Sequence, residues 1–203
     1  MSRARGLFIA IEGIDAVGKK TQTSILKSWL RSRALAVYTI SFPDYGTTIG
    51  MEIRKFLDGT VQYPPEVRAM LYAANRWEKK AELENILSRN DAVIVNRYTG
   101  SNLAYGISSG LELQWLLNLE AGLPQPEVVA VLDAPPTKLV PRRGAKDSYE
   151  RNIDLQAEAR NAYLKLASKF GWTVIDANKS IEEVSRAVVA AVSRGLDAGR
   201  KTV

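Results

Sequence analysis

Five short runs of apolar, β-favouring residues punctuate the chain: Leu7–Ile11, Ala36–Ser41, Ala92–Asn96, Val128–Asp133 and Thr173–Asp176. Runs of this length, nearly continuous in apolar character, predict strands buried on both faces. Between them the apolar positions recur at helical spacing. Ile25, Leu26, Trp29 and Leu30 mark one face of a helix beginning near Lys19. Val67, Met70, Leu71 and Ala74, then Leu83, Ile86 and Leu87, predict a long helix opened by Pro64-Pro65, since proline is tolerated in a first turn. Leu155, Ala159, Ala162, Tyr163, Leu166 and Phe170 predict another, stopped by Gly171, and Ile181, Val184, Val188 and Val192 a last one. Strands alternating with helices need crossover connections. The predicted class is therefore α/β, three-layered, with a five-stranded parallel sheet and helices on both faces. In such sheets ligands gather at the carboxyl ends of the strands. Repeats and linker-like stretches are absent, so residues 1–203 are expected to form a single domain, with a flexible tail from about residue 195.

Composition narrows the chemistry. An apolar content of 46% in 203 residues suffices for one core. The first apolar run, GLFIAI, stops at Glu12, too short for a membrane span or a signal-peptide core, so a cytoplasmic protein without a membrane partner is expected. The chain has no cysteine and no histidine, which excludes thiolate nucleophiles, Cys/His zinc sites and Ser-His triads. Carboxylates, Lys/Arg, hydroxyls, backbone amides and a hard cation held by oxygens remain. A net charge of +6, from 28 basic and 22 acidic residues, suits anionic ligands. No run of like charge is long enough to suggest a specific nucleic-acid partner.

The stretch GIDAVGKKT, Gly13-Ile14-Asp15-Ala16-Val17-Gly18-Lys19-Lys20-Thr21, joins the first strand to the first helix. It nearly matches the phosphate-loop pattern G-x-x-x-x-G-K-[ST], in which backbone amides and a helix N-terminus cradle phosphate oxygens and the lysine reaches the β/γ-phosphates of ATP. A P-loop NTPase fold follows. Lys20 stands where the pattern wants a hydroxyl that ligates Mg²⁺, and an ammonium cannot ligate a cation. Moving the role to Thr21 fails, because one residue along a helix turns the side chain by about 100°. Asp15 with a second carboxylate is the alternative way to place the metal.

Four further segments occur in order: SFPDYGT from Ser41, LYAANRWE from Leu71, NRYTGSNLAY from Asn96 and DSYERN from Asp147. With the phosphate loop they resemble the thymidylate kinase (dTMP kinase) family of nucleoside monophosphate kinases, from about Phe8 to Asp176. The resemblance implies transfer of the γ-phosphoryl group of ATP to dTMP, in dTTP biosynthesis, with ATP and Mg²⁺ bound. It implies that Phe42 and Tyr45 border the acceptor and that Tyr72 stacks on the thymine. Arg76 would donate to the base oxygen O4, and Arg97 would clamp the acceptor phosphate. Asn102 would pair with the base edge, and Tyr105 would press on the sugar beside its 2′ carbon. Spacing agrees in part: Tyr72 and Arg76 lie one helical turn apart, so both can address one ligand.

The resemblance also implies a short basic lid at about 137–150, holding Lys138, Arg142, Arg143 and Lys146. The phosphate loop offers Ala16 and Val17 and no arginine, so Arg142 or Arg143 must supply the arginine that stabilises the transferring phosphoryl group. Tyr149 would approach the acceptor, and Glu150, with Asp15, is the implied support for Mg²⁺. The family usually has Asp where this chain has Asn96. The catalytic set is thus expected to be Lys19, Arg97, Arg142, Arg143 and Asp15, in a homodimeric enzyme. Two alternatives stay open at this point: another nucleoside or deoxynucleoside monophosphate kinase, and a catalytically weak nucleotide-binding protein, suggested by Lys20 and Asn96.

Overall fold

The β-favouring runs assemble into one parallel sheet in the order β2-β3-β1-β4-β5. Its strands are β1 (Leu7–Glu12), β2 (Val37–Ser41), β3 (Ala92–Asn96), β4 (Val128–Asp133) and β5 (Thr173–Asp176), each within a residue of its predicted bounds. The computed structural model describes residues 5–139 and 152–200. β1 lies at the centre, paired with β3 through Leu7–Ile11 and with β4 through Ile9–Glu12. Phe8, Ile9, Ile11, Val93, Ile94 and Val95 are fully buried there, as strands covered on both faces must be.

The helices are α1 (Lys19–Arg31), α2 (Thr48–Leu57), α3 (Pro65–Trp77), α4 (Lys80–Arg89), α5 (Thr99–Ser108), α6 (Leu113–Glu120), α7 (Ile153–Phe170) and α8 (Ile181–Arg200). α1 and α8 pack together against the sheet, and α5 and α7 form a second packed pair. Gln22 locks α1 to the start of α8, donating to Ile181 O at 3.2 Å and accepting from Ser185 Oγ at 2.8 Å. The apolar stripe of α7 ends where predicted, with Gly171 in the left-handed region at φ 68°, a conformation glycine takes without a Cβ penalty.

Two expectations are corrected. The long helix begun at Pro64-Pro65 is two helices, broken at Glu78–Lys79. Both charges are pulled sideways onto the loop after β2. Glu78 Oε1 accepts from Asn75 Nδ2 and Thr47 Oγ1, and Lys79 Nζ pairs with Asp44 at 3.0 Å. The tail expected from about residue 195 is helical as far as Arg200, because Gly195 lets α8 run directly over Val128. α2, α5 and α6 are not among the predicted helices, although Ile49, Ile53, Phe56 and Leu57 in α2 and Leu113, Leu116 and Leu117 in α6 recur at helical spacing.

All five strands end on polar residues along one edge: Glu12, Ser41, Asn96, Asp133 and Asp176. That edge, together with α3, α5 and α6, builds the site.

Candidate active site

The phosphate loop turns on two glycines. Gly13 has φ 130°, and a Cβ there would stand 2.4 Å from Leu132 O of β4, so only glycine lets the loop leave the sheet at this point. Gly18 has φ 98° and caps α1 without a side-chain bond. Among the described residues the amides of Ala16, Val17 and Gly18 donate to no backbone acceptor, the arrangement of an anion cradle at a helix N-terminus. Lys19 is buried and folds over the loop, with Nζ donating to Gly13 O at 3.0 Å and to Ile14 O at 2.6 Å. Lys20 is exposed at the first turn of α1, and Thr21 is half-buried beside it.

Across the loop, Arg97 emerges from the end of β3 with φ 62°. A non-glycine residue pays about 1–2 kcal/mol for that conformation, and what it gains is direction. Its guanidinium pairs with Asp15 Oδ1, donates to Gly13 O and Ser101 Oγ at 3.1 Å each, and lies 5.5 Å from the Tyr105 ring centre. The other Asp15 oxygen accepts from Tyr105 OH and Gln156 Nε2, both at 2.9 Å. Burial alone would raise the Asp15 carboxyl pKa, but the charges of Arg97 and Lys19 and these hydrogen bonds hold it well below the usual carboxylate range. Burial and the Asp15 charge push the Tyr105 phenol well above its ordinary value, so it remains a donor.

Glu12 lies beneath this group, fully buried. It accepts from Tyr98 N at 2.8 Å, Ser101 N at 3.2 Å, Ser101 Oγ at 2.7 Å and Tyr163 OH at 3.0 Å. The carboxylate thereby caps the N-terminus of α5, taking its orphan amides and opposing its positive dipole end. Ser101 links Glu12 to Arg97, so the cap and the clamp are one network.

The far side of the cleft comes from α3, α5 and α6. Arg76 and Asn102 both converge on Glu120, at the end of α6. Asn75 fastens the loop after β2, accepting from Asp44 N at 2.8 Å and donating to Asp44 O at 3.2 Å. The Phe42–Pro43 peptide in that loop is cis, and Phe42 packs on Tyr98 with ring centres 5.7 Å apart.

These elements enclose one cleft beside the phosphate loop. Asp15, Phe42, Tyr45, Tyr72, Arg76, Arg97, Asn102 and Tyr105 all line it. The expected acceptor residues among those described, drawn from four separate stretches of sequence, thus meet around one space. Tyr149, Glu150, Arg142 and Arg143 lie outside the described residues. Sequence reasoning missed Glu12, Glu120, Gln156 and Arg68, the last of which also lines the cleft. Two of these carried a signal. Glu12 ends a buried strand, and Glu120 falls on the apolar stripe Leu113, Leu116, Leu117. Gln156 carried none.

Mg²⁺ prefers hard oxygens and needs one or two carboxylates besides phosphate. Among the described residues no three acidic side chains cluster as a metal site. Asp15 is committed to three side-chain donors, and Lys20 offers no oxygen. Asn96 Oδ1 is buried and accepts no hydrogen bond, yet it is a neutral amide. The described residues therefore do not make a Mg²⁺ site of their own.

A family model described as Thymidylate kinase matches residues 11–188. The chain is 34% identical to a probable thymidylate kinase of Thermococcus gammatolerans, over 96% of this chain and 99% of that protein. It is 32% identical to a thymidylate kinase of Arabidopsis thaliana, over 92% of this chain and 70% of that protein. Among solved structures, thymidylate kinase from Candida albicans superposes with a TM-score of 0.82 at 28% identity, covering 94% of this chain and 92% of that one. With the fold, the phosphate loop and the cleft beside it, these likenesses establish that the chain belongs to the thymidylate kinase family.

Proposed function

We propose that the protein transfers the γ-phosphoryl group of ATP to dTMP, giving ADP and dTDP, within the cleft that Asp15, Tyr72, Arg76, Arg97, Asn102 and Tyr105 line together. That convergence is the observation that carries the reading. An oxygen of the dTMP phosphate attacks the γ-phosphorus in line with the departing ADP. The nucleophile is already an anion, so the absence of histidine is no obstacle. Catalysis is then positioning and charge neutralisation. The loop amides and Lys19 hold the ATP phosphates, and Arg97, aimed by Asp15 and Ser101, holds the acceptor phosphate in a planar fork. Tyr72 stacks on the base, and Arg76 and Asn102 meet its edge. Tyr105, anchored on Asp15, fills the space a ribose 2′-hydroxyl would need, while Phe42 and Tyr45 border the mouth. The lid contributes Arg142 or Arg143 to the transferring group and Tyr149 to the acceptor.

ATP is used as its Mg²⁺ complex, and the ion supplies neutralisation of phosphate charge when bound. Asp15 is taken up by Arg97, Tyr105 and Gln156, so of the two expected carboxylates Glu150 is the one proposed to support the ion. The protein acts as a cytoplasmic homodimer. No helix among the described residues is long and apolar enough to cross a membrane. Met51 and Met70, on the adjacent helices α2 and α3, are exposed and apolar.

The test is an ADP-release assay with dTMP, dUMP, dCMP, dGMP and AMP, with and without Mg²⁺. dTMP should give the highest kcat/KM and the purine monophosphates only background, whereas preference for AMP or dGMP would refute the reading. In the same assay Lys20→Ser should leave turnover within about twofold and the Mg²⁺ titration midpoint unchanged, since the side chain is exposed. A large gain in activity would mean instead that Lys20 displaces a metal-binding hydroxyl.

A further inference from the structure

Glu120 closes α6 from the apolar side of that helix and is 3% exposed. A charge buried so deeply must be compensated, and both its oxygens are. Oε2 accepts from Arg76 Nε at 3.0 Å, and Oε1 accepts from Arg76 Nη2 and from Asn102 Nδ2, the latter at 2.6 Å. Asn102 Nδ2 also donates to Ala69 O at 3.2 Å. Both neighbours of that nitrogen are pure acceptors, a carboxylate and a backbone carbonyl. The orientation of an amide is settled by such a network, and here only one orientation satisfies it. The nitrogen faces Glu120, and Oδ1 is the polar atom left for the cleft that Asn102 lines. Arg76 is held in the same manner. Its Nε and Nη2 edge lies on the carboxylate, leaving the Nη1 donors for the cleft. Among the described residues neither Nη1 nor Oδ1 has another partner.

We propose that Glu120 is a positioning residue that sets the base specificity of the cleft, aiming the Nη1 donors of Arg76 and imposing an acceptor at Asn102. The inference rests on the dTMP reading above and deepens it. A pyrimidine with a 4-keto oxygen and an N3–H presents an acceptor and then a donor, the complement of this pair. Cytosine presents an amino donor and an N3 acceptor, reversed at both positions. The Arg76–Glu120 pair is neutral as a unit, which suits an uncharged ring. Replacing the carboxylate by an amide weakens the constraint, leaving Ala69 O as the one pure acceptor on that nitrogen. In Glu120→Gln the introduced NH₂ can donate to Asn102 Oδ1, and the Asn102 nitrogen then turns to the cleft.

The experiment measures kcat and KM for dTMP, dCMP and ATP in the wild type and in Glu120→Gln, Glu120→Asp and Asn102→Leu. A wild type inactive on dTMP overturns the functional reading and this inference with it. Given activity, Glu120→Gln should raise the dCMP-to-dTMP ratio of kcat/KM by about tenfold or more. The loss on dTMP should appear in its KM, with KM for ATP unchanged. Glu120→Asp, which keeps both acceptor oxygens, should hold the ratio near the wild-type value. Equal losses on both nucleotides in Glu120→Gln would reduce Glu120 to a structural role and overturn the assignment. If that variant does not fold, Asn102→Leu decides, since it deletes the acceptor and leaves the Arg76–Glu120 pair. Its ratio should rise likewise, and an unchanged ratio overturns the proposal.

Discussion

Arg97→Ala is expected to lower turnover on dTMP by about 10³-fold or more, while ATP affinity stays within a few-fold. The side chain is held by Asp15, Gly13 O and Ser101 in a cleft wall, and its backbone accepts a left-handed conformation to be there. Nothing else among the described residues presents a guanidinium from the end of β3. The loop amides and Lys19 belong to a different segment, so ATP should still bind. Single-turnover rates and an ATP titration of the same protein check both halves, and near-normal turnover would refute the clamp. Acid stability provides a second readout. The folded Asp15 carboxyl lies below its ordinary value of 3.8. The stability gained from its ionised partners is therefore fully present above that value, and it is lost as pH falls through the lowered folded value. Removing Arg97 takes away the largest opposing charge, so the variant should show a smaller loss of stability on acidification than the wild type.

Glu12→Ala should destabilise the fold by about 3–5 kcal/mol, for a domain of this size a fall in Tm of about 10 °C or more. The change strands the amides of Tyr98 and Ser101 and the hydroxyls of Ser101 and Tyr163, all of which now donate to one carboxylate. It also removes the cap of α5, the helix that carries Asn102 and Tyr105. Glu12→Gln keeps the shape and one acceptor and should lose less. Thermal unfolding of the two variants gives the comparison, and an Ala variant melting within about 2 °C of wild type would show that α5 does not depend on this cap. Activity should fall with stability, because Ser101 transmits the loss to Arg97.

The phosphate loop was legible because its parts are local. An apolar strand, two glycines, a lysine and an amphipathic helix follow one another directly. The acceptor residues were legible only as a resemblance carried by four ordered segments. Their meeting around one cleft depends on crossovers that no segment contains. Glu120 shows the limit clearly. Its position on the stripe of α6 announces burial, but its partner Arg76 is 44 residues away, and no local pattern connects them. Gln156 reaches Asp15 across 141 residues from a helix whose periodicity would read the same with any polar residue there. The break at Glu78–Lys79 was hidden for a related reason. Apolar periodicity on both sides was correct, and the interruption came from charges drawn to Asp44 and Thr47.

By itself, then, the sequence determined the class of fold, the five strands, the helices α1, α7 and α8, the phosphate loop and the identity of the groups available for chemistry. These depend on residue type, spacing and the preferences of short segments, all local properties of the chain. The tertiary structure decided which groups face one another: Asp15 bound to Arg97 rather than open to a metal, Glu12 spent on capping α5, and Glu120 orienting Arg76 and Asn102. Those outcomes follow from burial, which obliges every charge and donor inside the fold to find a partner, and the partners are supplied by strands and helices that only the completed sheet brings together.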